Sequence, residues 1–217
     1  MKTVFICMLS LFWILNAALA QETPYQKIMK KEIKKLTSLD SSSHLQQSAN
    51  AFARISEMNT GEWQPLYYEA LAHIYQSFNS TLSLDQKDAQ TDKALSLLSK
   101  ADALSSSNSE IVALQGFATM AKLTADPASR GQTLSAQAIG LFQKALGLDQ
   151  QNPRAMVLLA QMEWGMSQFF GSGNEKPCKL ATQSLSLFES QDEDARKVSI
   201  LPTWGQNMAH ELLRNCK

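Results

Sequence analysis

Residues 138–160 read AIGLFQKALGLDQQNPRAMVLLA. Ala138, Phe142 and Ala145 fall on one face of a helix in the order small, large, small. Leu148, Asp149, Gln150 and Gln151 then make a polar turn, and Asn152 is placed to cap a second helix. Pro153 takes the first helical position, where a missing N–H costs nothing. The stretch recurs at a fixed step. Tyr68, Val112 and Met156 stand 44 residues apart in succession, as do Ala72, Gly116 and Ala160. Ala94 and Ala138, Leu98 and Phe142, and Ala101 and Ala145 share the step, and Leu97, Leu141 and Leu185 carry it into a third copy. Small residues match small ones and bulky residues match bulky ones. Stacked helix pairs need this: a small side chain where two helices cross closely and a large one to fill the groove. Beyond residue 20, apolar residues recur at helical spacing and no clear period-2 strand is present, so the fold class is all-α.

The chain has 217 residues, enough for one domain. With 44% hydrophobic and 18% charged residues, it can bury a core and is not intrinsically disordered. Lys and Arg number 20 against 20 Asp and Glu, which gives no electrostatic case for binding nucleic acid. Residues 1–20, MKTVFICMLSLFWILNAALA, have a basic start at Lys2, an apolar run over residues 4–15 and a small-x-small ending at Ala18, Leu19 and Ala20. This is the pattern of a secretory signal peptide, too short and wrongly flanked to span a bilayer. Nothing after Gln21 is long and apolar enough to cross a membrane. The predicted location is outside the cytoplasm, in the periplasm of a Gram-negative bacterium. Cys178 and Cys216 remain after cleavage, and an even count in an oxidising compartment predicts one disulfide, two unpaired thiols being the alternative.

Within each 44-residue unit the order of residues resembles the tetratricopeptide repeat (TPR). Tyr68-x2-Leu71-Ala72-x2-Tyr75 is similar to its first-helix pattern. Ala94-x3-Leu98-x2-Ala101 and Ala138-x3-Phe142-x2-Ala145 are similar to its second. The usual period is shorter by about ten residues, so the extra length goes into long inner loops, near residues 79–92 and 123–134, or into longer helices. Gln115 and Thr119 also replace the expected Leu and Tyr of the second unit. A HEAT-like stack of helix pairs is the alternative. The expected organisation is an N-terminal helical pair over 24–60, units over about 65–108, 109–152 and 153–196, and a capping helix over 203–217 opened by a Thr203-x-x-Gln206 capping box. Helices are predicted near 24–38, 44–58, 63–78, 88–104, 109–124, 133–147, 154–169, 177–189 and 204–215. A further resemblance covers most of the chain. Asp126-Pro127-x2-Arg130-Gly131, Asn152-Pro153-Arg154-Ala155, Phe170-Gly171-x-Gly173-x4-Cys178 and Pro202-x-Trp204-Gly205 ending in Cys216 are similar to landmarks of a family of small secreted TPR-like proteins of Bacteroidota. That resemblance implies the fold, export and the cysteine pair, and no activity.

The chemistry-bearing residues are sparse. His44, His73 and His210 stand alone, no Gly-x-Ser-x-Gly is present, and no His or Cys pair sits at metal-ligand spacing. No catalytic residue, metal site or cofactor is predicted, and the missing acid–base set argues against an enzyme. Lys27, Lys30, Lys31, Lys34 and Lys35 lie on the first helix, whose face of Tyr25, Met29, Ile33 and Leu36 admits a weak contact with an anionic membrane surface. An ordinary packed helix with a solvated basic back is the better reading. The concave face lined by first helices is the strongest candidate for binding a protein or peptide. Carried over by register, TPR groove positions fall on Leu66, Glu69, His73 and Gln76, on Glu110, Ala113, Phe117 and Met120, and on Arg154, Val157, Gln161 and Trp164. A carrier of a small ligand, or an enzyme with an unrecognised pocket, is the alternative to a protein-binding scaffold.

Overall fold

A computed structural model describes residues 22–38, 44–191 and 199–216; the signal sequence expected over 1–20 lies outside them. The elements are α1 (Pro24–Thr37), α2 (Leu45–Met58), α3 (Gln64–Ser77), α4 (Leu84–Leu104), α5 (Ser109–Ala125), α6 (Pro127–Leu148), α7 (Pro153–Phe170), α8 (Glu175–Ser190) and α9 (Gln206–Arg214). No strand occurs among the described residues, and the fold is all-α. The pairs α3–α4, α5–α6 and α7–α8 are antiparallel hairpins, and α3, α5 and α7 pack side by side. The first pair, α1 and α2, covers one end through α2 against α3, and α9 lies against α8 and α7 at the other.

Helix starts follow from residue chemistry. Thr23 and Ser83 each accept the backbone N–H three residues on and receive a glutamine in return, reciprocal capping boxes that open α1 and α4. Asn108 caps the Glu110 N–H, and Asn152, at the same register, caps those of Arg154 and Ala155. The ten extra residues of each unit are helical. The stretches expected as inner loops near 79–92 and 123–134 are largely taken up by α4, which begins at Leu84, and α6, which begins at Pro127. A capped Ser83 and the Asp126–Pro127 start allow the helix to begin earlier than apolar spacing indicates. Arg130 on α6 then reaches Asp88 on α4 with two bonds of 2.7 and 2.6 Å, so the added turns are clamped to one another.

On α1, Met29, Ile33 and Leu36 are buried and Tyr25 packs half-buried against the core. The apolar face that could have met a lipid surface is covered by protein, and Lys27, Lys31 and Lys34 stay exposed on the back. No helix among the described residues is long and apolar enough to cross a membrane.

Most matched positions are core positions, Met156 and Leu141 being half-buried. Tyr68, Ala72, Ala94, Leu98, Ala101, Ala138, Phe142, Ala145 and Ala160 are all fully buried. Leu185 is half-buried, whereas Ala181, Ser184 and Phe188 are the inward residues of α8, one residue short of the 44-residue step from Ala138 and Ala145. The glycine-rich turn at residues 171–173 thus resets the register of the last hairpin. Gly116 stands where its counterparts are alanine. A Cβ built there would lie 2.4 Å from the Phe142 ring, which is itself fully enclosed.

Two expectations follow. Gly116→Ala gains about 1 kcal/mol of helix propensity and loses about 1–3 kcal/mol by overpacking against Phe142, so its urea midpoint falls below that of the native chain. The disulfide between Cys178 and Cys216 ties α8 to the end of α9. Replacing both cysteines by serine lowers stability by up to about 4 kcal/mol on the chain-entropy argument, read as a lowered melting temperature under non-reducing conditions.

Candidate functional site

The face that α3, α5 and α7 share is occupied by the chain itself. Residues 201–205 cross it as a strap ahead of α9. Trp204 is buried, with its indole stacked on Phe117 of α5 at 5.6 Å between centroids. Its Nε1–H donates to the Tyr67 hydroxyl of α3 at 3.0 Å. Tyr68 donates its hydroxyl to the Leu201 carbonyl at 2.9 Å. Arg154 of α7 donates Nε–H and Nη2–H to the two Glu110 oxygens of α5, both at 2.7 Å, and Nη1–H to the Trp204 carbonyl at 3.4 Å. The guanidinium also lies 5.7 Å from the centre of the Phe188 ring. Burial pushes the phenols of Tyr67 and Tyr68 far above the ordinary tyrosine range, so both remain neutral hydrogen-bonding groups.

The strap also fixes the start of α9. That helix is capped by Gly205, not by Thr203 and Gln206 as the sequence predicts. Gly205 has φ 107°, and a Cβ there would fall 2.9 Å from Phe188. The positive φ and the contact with Phe188 both favour glycine. Trp204 therefore closes the interior of the stack and not its open end, which Leu212 covers together with Ala160 and Ala181.

The twelve groove positions are dispersed. Glu110, Phe117 and Arg154 meet the strap. Leu66 borders a separate cavity between α2, α3 and α4. Glu69 and His73 are buried and turn toward α4: the Glu69 carboxylate is 3.8 Å from Lys93 Nζ and 3.9 Å from His73 Nε2. His73 Nδ1–H donates to Gln90 Oε1 at 2.6 Å. Gln76 is half-buried, with its Nε2 enclosed. Ala113, Met120 and Val157 are core residues. Gln161 is half-buried, and Trp164 packs toward α9 with Leu180 and Leu213. Longer helices rotate the register, so the positions that line an exposed groove in a shorter repeat are shared here among strap, hairpin partner and cap.

Beside the strap a cavity of about 450 Å³ remains open. Leu36, Thr37 and Ser38 at the end of α1 form one wall, Tyr75 of α3 another, and Trp204 and Met208 the third. Thr203, Gln206 and Asn207 also line it, and no charged side chain does. Aromatic, thioether and aliphatic surface with a few neutral polar groups is the usual lining for a small apolar ligand. None of these lining residues is among the twelve groove positions, and Leu36 belongs to the apolar face of α1. Tyr75 was visible as the tyrosine of the first-helix pattern, but Leu36 and Met208 lie far from it in sequence and meet it only in the folded chain. No cluster of three or more His, Cys, Asp or Glu able to hold a metal ion occurs among the described residues.

Fold, disulfide and enclosed strap together define a small all-α protein of stacked helical hairpins. No family model and no curated protein matches the chain. Among solved structures, the HusA haemophore from Porphyromonas gingivalis is 30% identical, with a TM-score of 0.78, over 92% of this chain and 96% of that one. The chain belongs to the same family as that protein. The disulfide and this kinship point to an exported protein.

His73 gives the pH dependence of the site's surroundings a sign. Burial lowers its pKa from 6.5, the Gln90 bond opposing. The unfolded chain takes up the proton first as pH falls, so the stability tied to neutral His73 is present above 6.5 and is lost below it. Glu69 runs the other way: burial raises its pKa from 4.5, Lys93 and Lys100 opposing, and the stability tied to its protonated form is lost as pH rises above 4.5. In urea titrations between about pH 7 and pH 5, His73→Gln is expected to lose less stability than the native chain as the solution acidifies.

Proposed function

We propose that the protein is an exported, non-catalytic carrier of a flat, largely apolar small molecule of the haem and porphyrin class, held in the cavity beside the strap. The observation that carries this reading is the likeness to a haemophore over nearly the full length of both chains. The cavity agrees in chemistry. Its volume of about 450 Å³ lies in the range of small-molecule sites, and its walls offer Tyr75, Trp204, Met208 and Leu36 to a planar ring. Thr37, Ser38 and Asn207 offer neutral hydrogen-bonding groups to polar substituents at the edge.

The same observations weigh against an extended peptide as the ligand. The place it would take against Phe117 and Arg154 is filled by residues 201–205, and opening it would break the Arg154 bond to the Trp204 carbonyl and the Trp204 bond to Tyr67. A small-ligand carrier therefore has better support than a protein-binding scaffold.

Titration of the full chain with ferric protoporphyrin tests this. A saturable change in the Soret band at about one ligand per chain is expected, with binding weakened about tenfold by Met208→Ala, which removes a wall without touching the Trp204 anchor. A Soret band that follows free ligand throughout the titration removes the reading.

A further inference from the structure

Charge is unevenly placed along this chain. Residues 22–38 hold five lysines and two glutamates, whereas residues 44–191 hold ten basic and thirteen acidic residues. A sequence that is neutral as a whole is therefore basic at one end of the stack and acidic over the hairpins. Two of the α1 lysines are engaged: Lys30 pairs with Glu22, and Lys35 bonds Gln47 of α2. Lys27, Lys31 and Lys34 are exposed and have neither an ion-pair nor a hydrogen-bond partner among the described residues. Steps of four and three residues put them in one row on the outer side of α1, over about 10 Å of helix. Ile28 stands beside that row, one turn before Lys31, with 46% of its surface open to water. The exposed residues of α2, which packs on α1, add one arginine, Arg54, and one glutamate, Glu57.

We infer that the outer side of α1 is a docking surface for a bilayer carrying anionic phospholipid headgroups. The contact does not use Met29, Ile33 and Leu36, which the core covers; it uses the opposite side of the same helix. Three unpaired ammonium groups in a straight row meet a plane of phosphates without any change in the helix, and each adds to the attraction. Ile28 selects a bilayer over a soluble polyanion. A polyanion offers nothing apolar to an isoleucine set among lysines, whereas acyl chains lie just beneath the headgroups. The acidic surplus of residues 44–191 is repelled by the same surface, so the protein docks with α1 foremost. The last turn of α1 also borders the cavity beside the strap. Docking therefore holds that cavity near the lipid, whatever it carries.

Co-sedimentation with vesicles tests this on the exported chain. One set is phosphatidylcholine alone; the other is phosphatidylcholine and phosphatidylglycerol in equal parts. The native protein is expected to bind the mixed vesicles and not the neutral ones, with binding that falls as salt is raised. Lys27→Gln, Lys31→Gln and Lys34→Gln together are expected to weaken binding at least about tenfold. Glutamine keeps the helix propensity of lysine, and an unchanged thermal melt shows that the fold is retained. Lys100, Lys144 and Lys179 are equally exposed, and their joint replacement by glutamine is expected to leave binding as it is. Ile28→Ser is expected to weaken binding and keep its salt dependence. Equal binding to both vesicle types, no binding to the mixed ones, or equal losses in the two triple variants overturns the assignment. Salt-sensitive self-association without lipid, abolished by the α1 triple variant and unaccompanied by vesicle binding, gives the row to a second copy of the chain and overturns it too.

Discussion

Trp204 enters the helical stack from a strap that is 50 residues from Arg154 and 137 from Tyr67 in sequence, and its polar atoms find partners on both. The rest of the interior depends on that insertion. Three first helices present Tyr67, Phe117 and Arg154 to one space, and without the indole that space would hold a charged guanidinium beside bare aromatic rings. The Arg154–Glu110 pair is tolerable there because the geometry is two-pronged and the third nitrogen has the strap carbonyl. A pair this deep adds little net stability, yet removing either partner leaves an uncompensated buried charge at a cost of about 3–5 kcal/mol. Its contribution is to fix the relative placement of α5, α7 and the strap.

That placement decides where a ligand can go. A face that lies open in simple stacks of helix pairs is here already covered, and what stays open is the gap between the strap, the last turn of α1 and the end of α3. The gap is uncharged because no Lys, Arg, Asp or Glu side chain lines it, and Lys27, Lys31 and Lys34 of α1 are exposed on the back of that helix. Tyr68 and Gly205 hold the strap at its two ends: one bonds the Leu201 carbonyl, the other lets the chain pass against Phe188, and the disulfide ties the end of α9 to α8. The cavity is therefore bordered by elements that are individually anchored, a condition for a preformed site.

Local chemistry was readable where it is local. The Asn152–Pro153 start, the burial of Ala138, Phe142 and Ala145, the apolar stripe of α1 and the pairing of the two cysteines follow from patterns within a few residues or from a count. Helix lengths were less readable, because the first turns of α4 and α6 are polar and are held by capping and by the Arg130–Asp88 clamp, not by an apolar stripe. The start of α9 differs from the sequence pattern for a related reason: Thr203-x-x-Gln206 has the letters of a capping box, but Trp204 is drawn inward by tertiary partners and the helix begins only after Gly205. One long-range signal was present. Glu110 and Arg154 occupy the same register in successive units with opposite charge, as two facing residues of stacked helices would.

By itself the sequence determined an all-α chain of hairpins with its small residues at the crossings, because helix periodicity and the step between copies are properties of neighbouring residues. Tertiary structure alone decided which face of those helices stays open, because that depends on a strap whose partners are 50 to 137 residues away and on a register rotated by the longer helices. Glu69, His73 and Trp164 were assigned to the groove by their place in the repeat; the packing turns the first two to α4 and the third to α9. Tyr75 and Leu36 acquire a shared cavity only when Trp204 and Met208 are brought between them.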